Sequence, residues 1–302
     1  MSHGGGSTKA IFYALGANLG IAAAKAAAAI YTNSGAMLAE AIHSFADSAN
    51  QVLLLLGLKR SRRPVSEEHP LGYGKSIYFW SFIVALMLFS MGGMFSLYEG
   101  VHKLQHLEMP TSPWVAVAVL AVSIILEMGS LKGAMNEVRK VRGKRGFFEW
   151  FRKSRQSELI VVVGEDIAAL VGLTLAIAAV LLTILTGNPF FDALGTIAIG
   201  VVLILVAVVL GIEVKSLLIG ESADPETVAA LGAWIGARPE VLEIYHLITL
   251  QLGLELMVSI KARMQEDESA CRLVEDINTV EKEIKLAFPQ VRWIFFEPDC
   301  RD

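Results

Sequence analysis

The stretch Ala39–Gln51 (AEAIHSFADSANQ) carries Glu40, His43, Asp47 and Asn50 at steps of three, four and three residues. At about 100° per residue these positions share one face of an α-helix. The surrounding run is built from Ala, Leu, Met, Val and Gly, so the face puts ionisable groups where a membrane helix is normally bare. Such groups are costly in a bilayer and point to an ion or proton path. The competing reading is a soluble buried helix with a satisfied polar network, and the rest of the chain weighs against it. His43 and Asp47, four apart, are spaced to bind one divalent cation; Zn²⁺ accepts imidazole and carboxylate together at about 2.0–2.2 Å. A second acidic pair, Glu165-Asp166, lies between the apolar runs 160–163 and 167–170 and offers further ligands. Adjacent helical residues point about 100° apart, so these two cannot both aim squarely at one ion. They could instead pair with a lysine or cap an interrupted helix, but no basic residue stands near them in that run.

Positioning these groups is the task of the surrounding elements. The chain has 302 residues, 54% hydrophobic and 19% charged, with a mean hydropathy of +0.54. That balance fits a membrane domain joined to a smaller soluble one. Six apolar runs, near 9–31, 35–58, 77–102, 113–135, 158–186 and 190–214, are each long enough to cross a bilayer. YTNSG makes a tight hairpin turn between the first two, and the proline-bearing HKLQHLEMPTSP and TGNPFFD end helices cleanly. Basic residues concentrate after the second run (Lys59, Arg60, Arg62, Arg63, Lys75) and after the fourth (Arg139 to Arg155), while the opposite loops carry little more than Lys103. The positive-inside rule then sets both termini in the cytoplasm. The N-terminus has no small-residue cleavage site after a separate apolar core, so residues 1–8 are expected as a flexible leader and the first run as a retained span. The segment EVRKVRGKRGFFEWFRKSRQ, with Phe147, Phe148, Trp150 and Phe151, reads as an interfacial helix meeting anionic lipid.

Beyond residue 214 the pattern changes. A helix with Pro225 in its first turn, two alternating runs at 241–250 and 254–262, a charged amphipathic helix at 266–288 and a last strand at 291–297 give the order αββαβ. This predicts a small sheet with helices on one face, a soluble cytoplasmic domain over 215–302. Cys271 and Cys300 form no disulfide framework. The net charge of −4 gives no steer toward nucleic acid.

SGAMLAEAIHSFADSANQVLLLLGLKRSRRP followed by HPLGYGK, then GEDIAALVGL, TGNPFFDALGTIAIG and LLIGESAD, resembles the cation diffusion facilitator family, most closely the subgroup that includes vertebrate zinc transporter 9. The resemblance implies six transmembrane helices plus a cytoplasmic ferredoxin-like domain, usually in a homodimer. It implies export of divalent metal, mostly zinc and often in exchange for protons, with no enzymatic activity and no cofactor beyond the transported ion. It assigns metal ligation to His43, Asp47 and Asp166, whereas the family's fourth ligand position falls on Val162, which cannot bind a metal. Glu165 is the substitute, as a direct ligand or as a residue orienting a metal-bound water. Glu40 and Asn50 fall behind the ligands or along a proton path. His69 and Glu68 mark a weaker loop site, since Tyr73 and Ser66 replace other ligands of the family there. In the C-terminal domain Tyr245 and Lys261 stand where the family has histidines, which leaves dimer packing as that domain's expected role. Mn²⁺ or Fe²⁺ is admissible beside Zn²⁺, because oxygen ligands favour them. The expected location is a bacterial inner (plasma) membrane. A non-transporting metal-binding regulatory protein remains a competing class. An intramembrane metalloenzyme using Glu165 as base is disfavoured, because the chain has no HExxH motif.

Overall fold

In the computed structural model, residues 4–265 and 269–301 are described, with side chains from Asn18 onward. The chain divides into two compact units, one holding residues up to Leu56, Trp80–Lys144 and Glu158–Glu213, the other Gly57–Phe79, Arg145–Ser157 and the chain from Val214.

The first unit is helical. Its elements are α1 (Gly4–Thr32), α2 (Gly35–Ser61), α3 (Ser76–Gln105), α4 (Pro113–Val141), α6 (Ser157–Thr186) and α7 (Phe190–Ile219); some of their ends belong to the second unit. Among the described residues, α3, α4, α6 and α7 are long and apolar enough to cross a membrane. The helix α2 has 27 residues but carries the polar face described above. The helix α1 begins at Gly4, inside the expected leader; residues 1–3 lie outside the described residues. Pro113 opens α4, where its missing N–H leaves no bond unmade.

Close packing of α3 on α7 depends on glycine. A Cβ at Gly200 would stand 2.8 Å from the Leu97 nitrogen and 2.9 Å from the Gly93 oxygen, so the two backbones nearly touch. Small residues permit such contact between helices in lipid, where van der Waals packing replaces the hydrophobic drive. Beside this contact α3 widens into a π-helical segment, Leu88–Met94. Wide turns of this kind occur often at functional sites.

The second unit contains the short helix α5 (Phe147–Lys153), then α8 (Pro225–Gly236), β1 (Val241–Leu252), β2 (Glu255–Met264), α9 (Ala270–Ala287) and β3 (Val291–Pro298). The sheet order is β1-β2-β3, antiparallel between β1 and β2 and parallel between β2 and β3, with α9 as the crossover that a parallel pair requires. Leu256, Val258, Ile260, Ala262 and Met264 alternate inward along β2 and pack with Leu231 and Ile235 of α8 and Val280 and Ile284 of α9. The helix expected at 266–288 starts at Ala270; residues 266–268 lie outside the described residues.

The helix α5 is anchored on one side and open on the other. Trp150 is only 2% exposed, whereas Phe148 is 82% exposed. Arg145 bonds Asp224 and Glu226, and Arg155 bonds Glu221 and the Ser222 carbonyl. These two arginines are therefore engaged by acids of their own unit, which offer a fixed partner where lipid headgroups would offer a mobile one.

Two predictions follow from this packing. Gly200→Val should destabilise the purified chain by about 1–3 kcal/mol, the usual cost of overpacking, read as a lowered melting midpoint in detergent. Gly211→Ala, on the same helix with nothing within 4 Å, should leave the midpoint in place. At the start of α8, partial burial pushes the Asp224 carboxyl up, but hydrogen bonds from Thr227 and the Arg145 guanidinium outweigh it and hold the group below the usual carboxylate range. A depressed carboxylate stabilises the fold above the unfolded value of about 3.9 and loses that contribution as pH falls through its lower folded value. Asp224→Ala should accordingly speed hydrogen exchange of the Thr227 amide by about fivefold near neutral pH, the equivalent of ~1 kcal/mol for a lost N-cap. The difference should vanish in strong acid.

Candidate metal centre

All the groups of this centre lie in the first unit. The polar face of α2 is fully embedded at His43, whose side chain is 0% exposed. Its Nδ1 stands 3.6 Å from Asp47 Oδ1, too far for a hydrogen bond. Both imidazole nitrogens and Asp47 Oδ1 are buried without a hydrogen-bond partner. Buried polar atoms are almost always paired, so this group of orphans marks a place where something is meant to bind. The π segment of α3 closes on the same imidazole: a Cβ at Gly92 would lie 3.8 Å from His43 Nδ1.

One turn before, Glu40 is engaged elsewhere. Its Oε2 lies 3.4 Å from Lys25 Nζ, both side chains are buried, and Lys25 also donates to Ser44 Oγ at 2.7 Å. Glu40 Oε1 presses on Gly172 of α6, where a Cβ would fall 2.5 Å away. Removing one partner of such a buried pair would strand the other without compensation.

One turn after Asp47, Asn50 reaches across to α6 and donates to Glu165 Oε1. Asp166, the next residue, is bonded by a third helix: Ser130 Oγ of α4 lies 3.2 Å from each of its carboxylate oxygens. The 100° between neighbours on a helix is resolved this way, with Glu165 turned toward α2 and Asp166 toward α4.

A cavity of about 70 Å³ opens between these helices. Asp47 and Gln51 of α2, Glu127 and Ser130 of α4, Val162, Glu165 and Asp166 of α6 and Asn18 of α1 line it. A smaller space of about 20 Å³ adjoins Asn18, Ser44, Asp47 and Glu127. Polar and roomy enough for water, the larger cavity offers an oxygen-rich lining suited to a hard or borderline cation. The acids surround this space without converging on one point. Among the described residues no three His, Cys, Asp or Glu side chains stand close enough to hold a metal ion together.

Asp47, Glu165 and Asp166 thus share one cavity, Asn50 supports Glu165, and Val162 also faces the cavity with an apolar side chain. Glu40 and His43 are not among the lining residues; His43 borders Asp47 from behind, and Glu40 pairs with α1. The loop site is not assembled. His69 is exposed and stacks on Tyr73 with ring centroids 4.3 Å apart, while Ser66 Oγ bonds the Tyr73 hydroxyl at 3.1 Å. Aromatic stacking holds that turn, and Glu68 is exposed beside it.

Two charged residues of these helices escaped the sequence reading, Lys25 and Glu127. Each is a lone charge interrupting an apolar run, AAAKAAAA and LAVSIILEMGS. The signal that singled out Glu165-Asp166 was present for both.

Residues 11–219 match the cation efflux transmembrane domain. A Xenopus laevis protein named proton-coupled zinc antiporter SLC30A9, mitochondrial, is 34% identical over 267 residues, covering 88% of this chain and 47% of its own length. The Homo sapiens protein of that name is 36% identical over 227 residues, 74% of this chain and 40% of the relative. Metal tolerance protein C4 of Arabidopsis thaliana is 34% identical over 197 residues, covering 65% and 43%. The chain therefore spans about half the length of these relatives, or less. With most of its helical unit matched to the transmembrane domain and most of its length similar to a named relative, the chain belongs to the cation efflux family.

Proposed function

We propose that this protein moves divalent metal, zinc foremost, out of the cytoplasm in exchange for protons. The observation that carries this reading is the acid-lined cavity between α1, α2, α4 and α6, bordered by the unpartnered His43–Asp47 pair. On this reading all six long helices, α1, α2, α3, α4, α6 and α7, span a membrane. The basic loops and both termini are cytoplasmic, and the C-terminal domain serves a homodimer. The names of the similar animal proteins describe proton-coupled zinc antiport in mitochondria, which supports an ion-translocating membrane as the setting; a bacterial inner membrane is the proposed one here.

Glu165 and Asp166 lie in the half of α6 nearest the basic loops, with Asp47 and Glu127 at the middle of α2 and α4. The opposite ends are held by polar bonds: Asp192 accepts from Ser34 Oγ at 2.6 Å and from the Gly35 amide at 2.8 Å. This supports an inward-facing arrangement, in which metal enters from the cytoplasm and displaces protons from Asp47, Asp166 and Glu165. Metal needs deprotonated ligands, so ion and proton compete for one site, and that competition is the basis of exchange. Release on the far side requires the Asp192 contacts to part.

A second ranking of metals has its own support. The cavity lining offers oxygen donors and no imidazole, a set that also suits Mn²⁺ or Fe²⁺. A metal-binding regulatory protein without transport is the remaining alternative, favoured by the valine at position 162.

The test is flux into proteoliposomes across a panel of divalent ions, with and without a pH gradient. Zinc uptake should be fastest and should follow the proton gradient; uptake indifferent to that gradient would refute exchange, and no uptake of any metal would leave the regulatory reading. Asp47→Asn and Asp166→Asn should each reduce flux to the level of empty vesicles while the protein elutes normally in size-exclusion chromatography. Either variant transporting at the parental rate would remove this cavity from the pathway.

A further inference from the structure

Val162 turns an apolar side chain to the cavity between the acids, and α4 carries a carboxylate into the same space. Glu127 sits midway along a helix whose exposed neighbours Val122, Ile125, Leu126 and Met128 are all apolar. A carboxylate at such depth is tolerated where it faces a wet cavity or a partner. Glu127 lines both the larger and the smaller cavity, which meet at Asp47 and Asn18. One turn along the same helix, Ser130 bonds Asp166, which ties α4 to the acid-bearing stretch of α6. Independently, Asp47 Oδ1 and, behind it, the fully buried His43 nitrogens have no hydrogen-bond partner, so lone pairs at the Asp47 end of this space are open to a cation.

Resting on the transport reading above, we propose that Glu127 gives the transported cation the carboxylate that α6 lacks at Val162. Binding the ion then draws together Asp47 of α2, Asp166 of α6 and Glu127 of α4, which ring the cavity without meeting at a point. Glu165, tied to Asn50, serves as the acid beside this set. Placing the third acid on α4 links that helix directly to the presence of cargo. It also gives a site richer in oxygen than a His/Asp quartet, which widens the range of accepted metals toward Mn²⁺.

Equilibrium binding of Zn²⁺, Cd²⁺ and Mn²⁺ to the purified full chain in nanodiscs, followed by flux in vesicles, tests this. Glu127→Gln should weaken metal binding on the order of 10- to 100-fold, with Mn²⁺ losing more than Cd²⁺. Glu127→Asp, which keeps the charge on a shorter arm, should fall between the two and guards against a folding defect in the amide. The decisive variant is Glu127→Gln combined with Val162→Asp: a carboxylate restored on α6 should recover most of the lost affinity, which a purely structural role for Glu127 would not allow. Glu127→Gln binding within twofold of the parent, or a double variant no better than the single one, overturns the proposal. If those results accompany metal flux that still depends on Asp47, the transport reading stands without Glu127. If the parent protein neither binds nor moves metal, both fall.

Discussion

Charge buried among apolar helices must be matched by a partner, by water or by cargo, and the helical unit is arranged around that requirement. Four ionisable side chains in its interior are matched in distinct ways. Glu40 takes Lys25 across the hairpin between α1 and α2. Asp192 takes the Ser34 hydroxyl and the Gly35 amide at the start of α2. Glu165 takes Asn50, and Asp166 takes Ser130. Along α2, both His43 ring nitrogens and Asp47 Oδ1 stay buried without a hydrogen-bond partner, as do Glu40 Oε1 and Asn50 Oδ1 on either side of them. Desolvating polar atoms without a bond costs on the order of 1–3 kcal/mol each. Such a cost persists where the missing partner arrives with function, and a divalent cation satisfies lone pairs of both kinds.

The same constraint explains which features could be read from the chain. The αββαβ order followed from periodicity, because β2 alternates strictly and α9 is strongly two-faced; the helix ends moved by a few residues, as at Ala270. The face bearing His43 and Asp47 was legible because its members lie on one helix. Pairings between helices were not. Nothing local announces that Lys25 will meet Glu40, or that Ser130 will meet Asp166 from 36 residues away. The same gap hid Glu127, since a single carboxylate in an apolar run looks alike whether it faces lipid or a cavity. The π segment was hidden for a different reason: LFSMGGM has ordinary helical spacing, and the wide turn arises where α3 presses against α7.

The loops illustrate a competition that composition cannot settle. A cluster of arginines next to aromatic residues has the makeup of a lipid-facing segment, and nearby acids have the makeup of a solvated surface. Arg145 and Arg155 choose the acids, because Asp224, Glu226 and Glu221 stand at fixed positions and a planar guanidinium exploits fixed geometry. His69 is another case. The residue type suggests a ligand; its ring stacks on Tyr73 four positions on, and among the described residues no three donor side chains gather there.

Division of labour among the helices gives the proposed exchange a physical route. The near contact of Gly93 and Gly200 makes α3 and α7 a closely fitted pair with little room to slide. The cavity acids, by contrast, come from α2, α4 and α6, and two of them are bonded across helices, Glu165 to Asn50 of α2 and Asp166 to Ser130 of α4. Drawing these carboxylates onto one ion therefore requires the helices that carry them to shift together, since the side chains now ring a space and do not meet at a point. Protonation instead neutralises the acids one by one and removes the reason to converge. Metal and proton would thus favour different spacings of the same three helices, and alternation between those spacings couples the two fluxes without a separate gate for each.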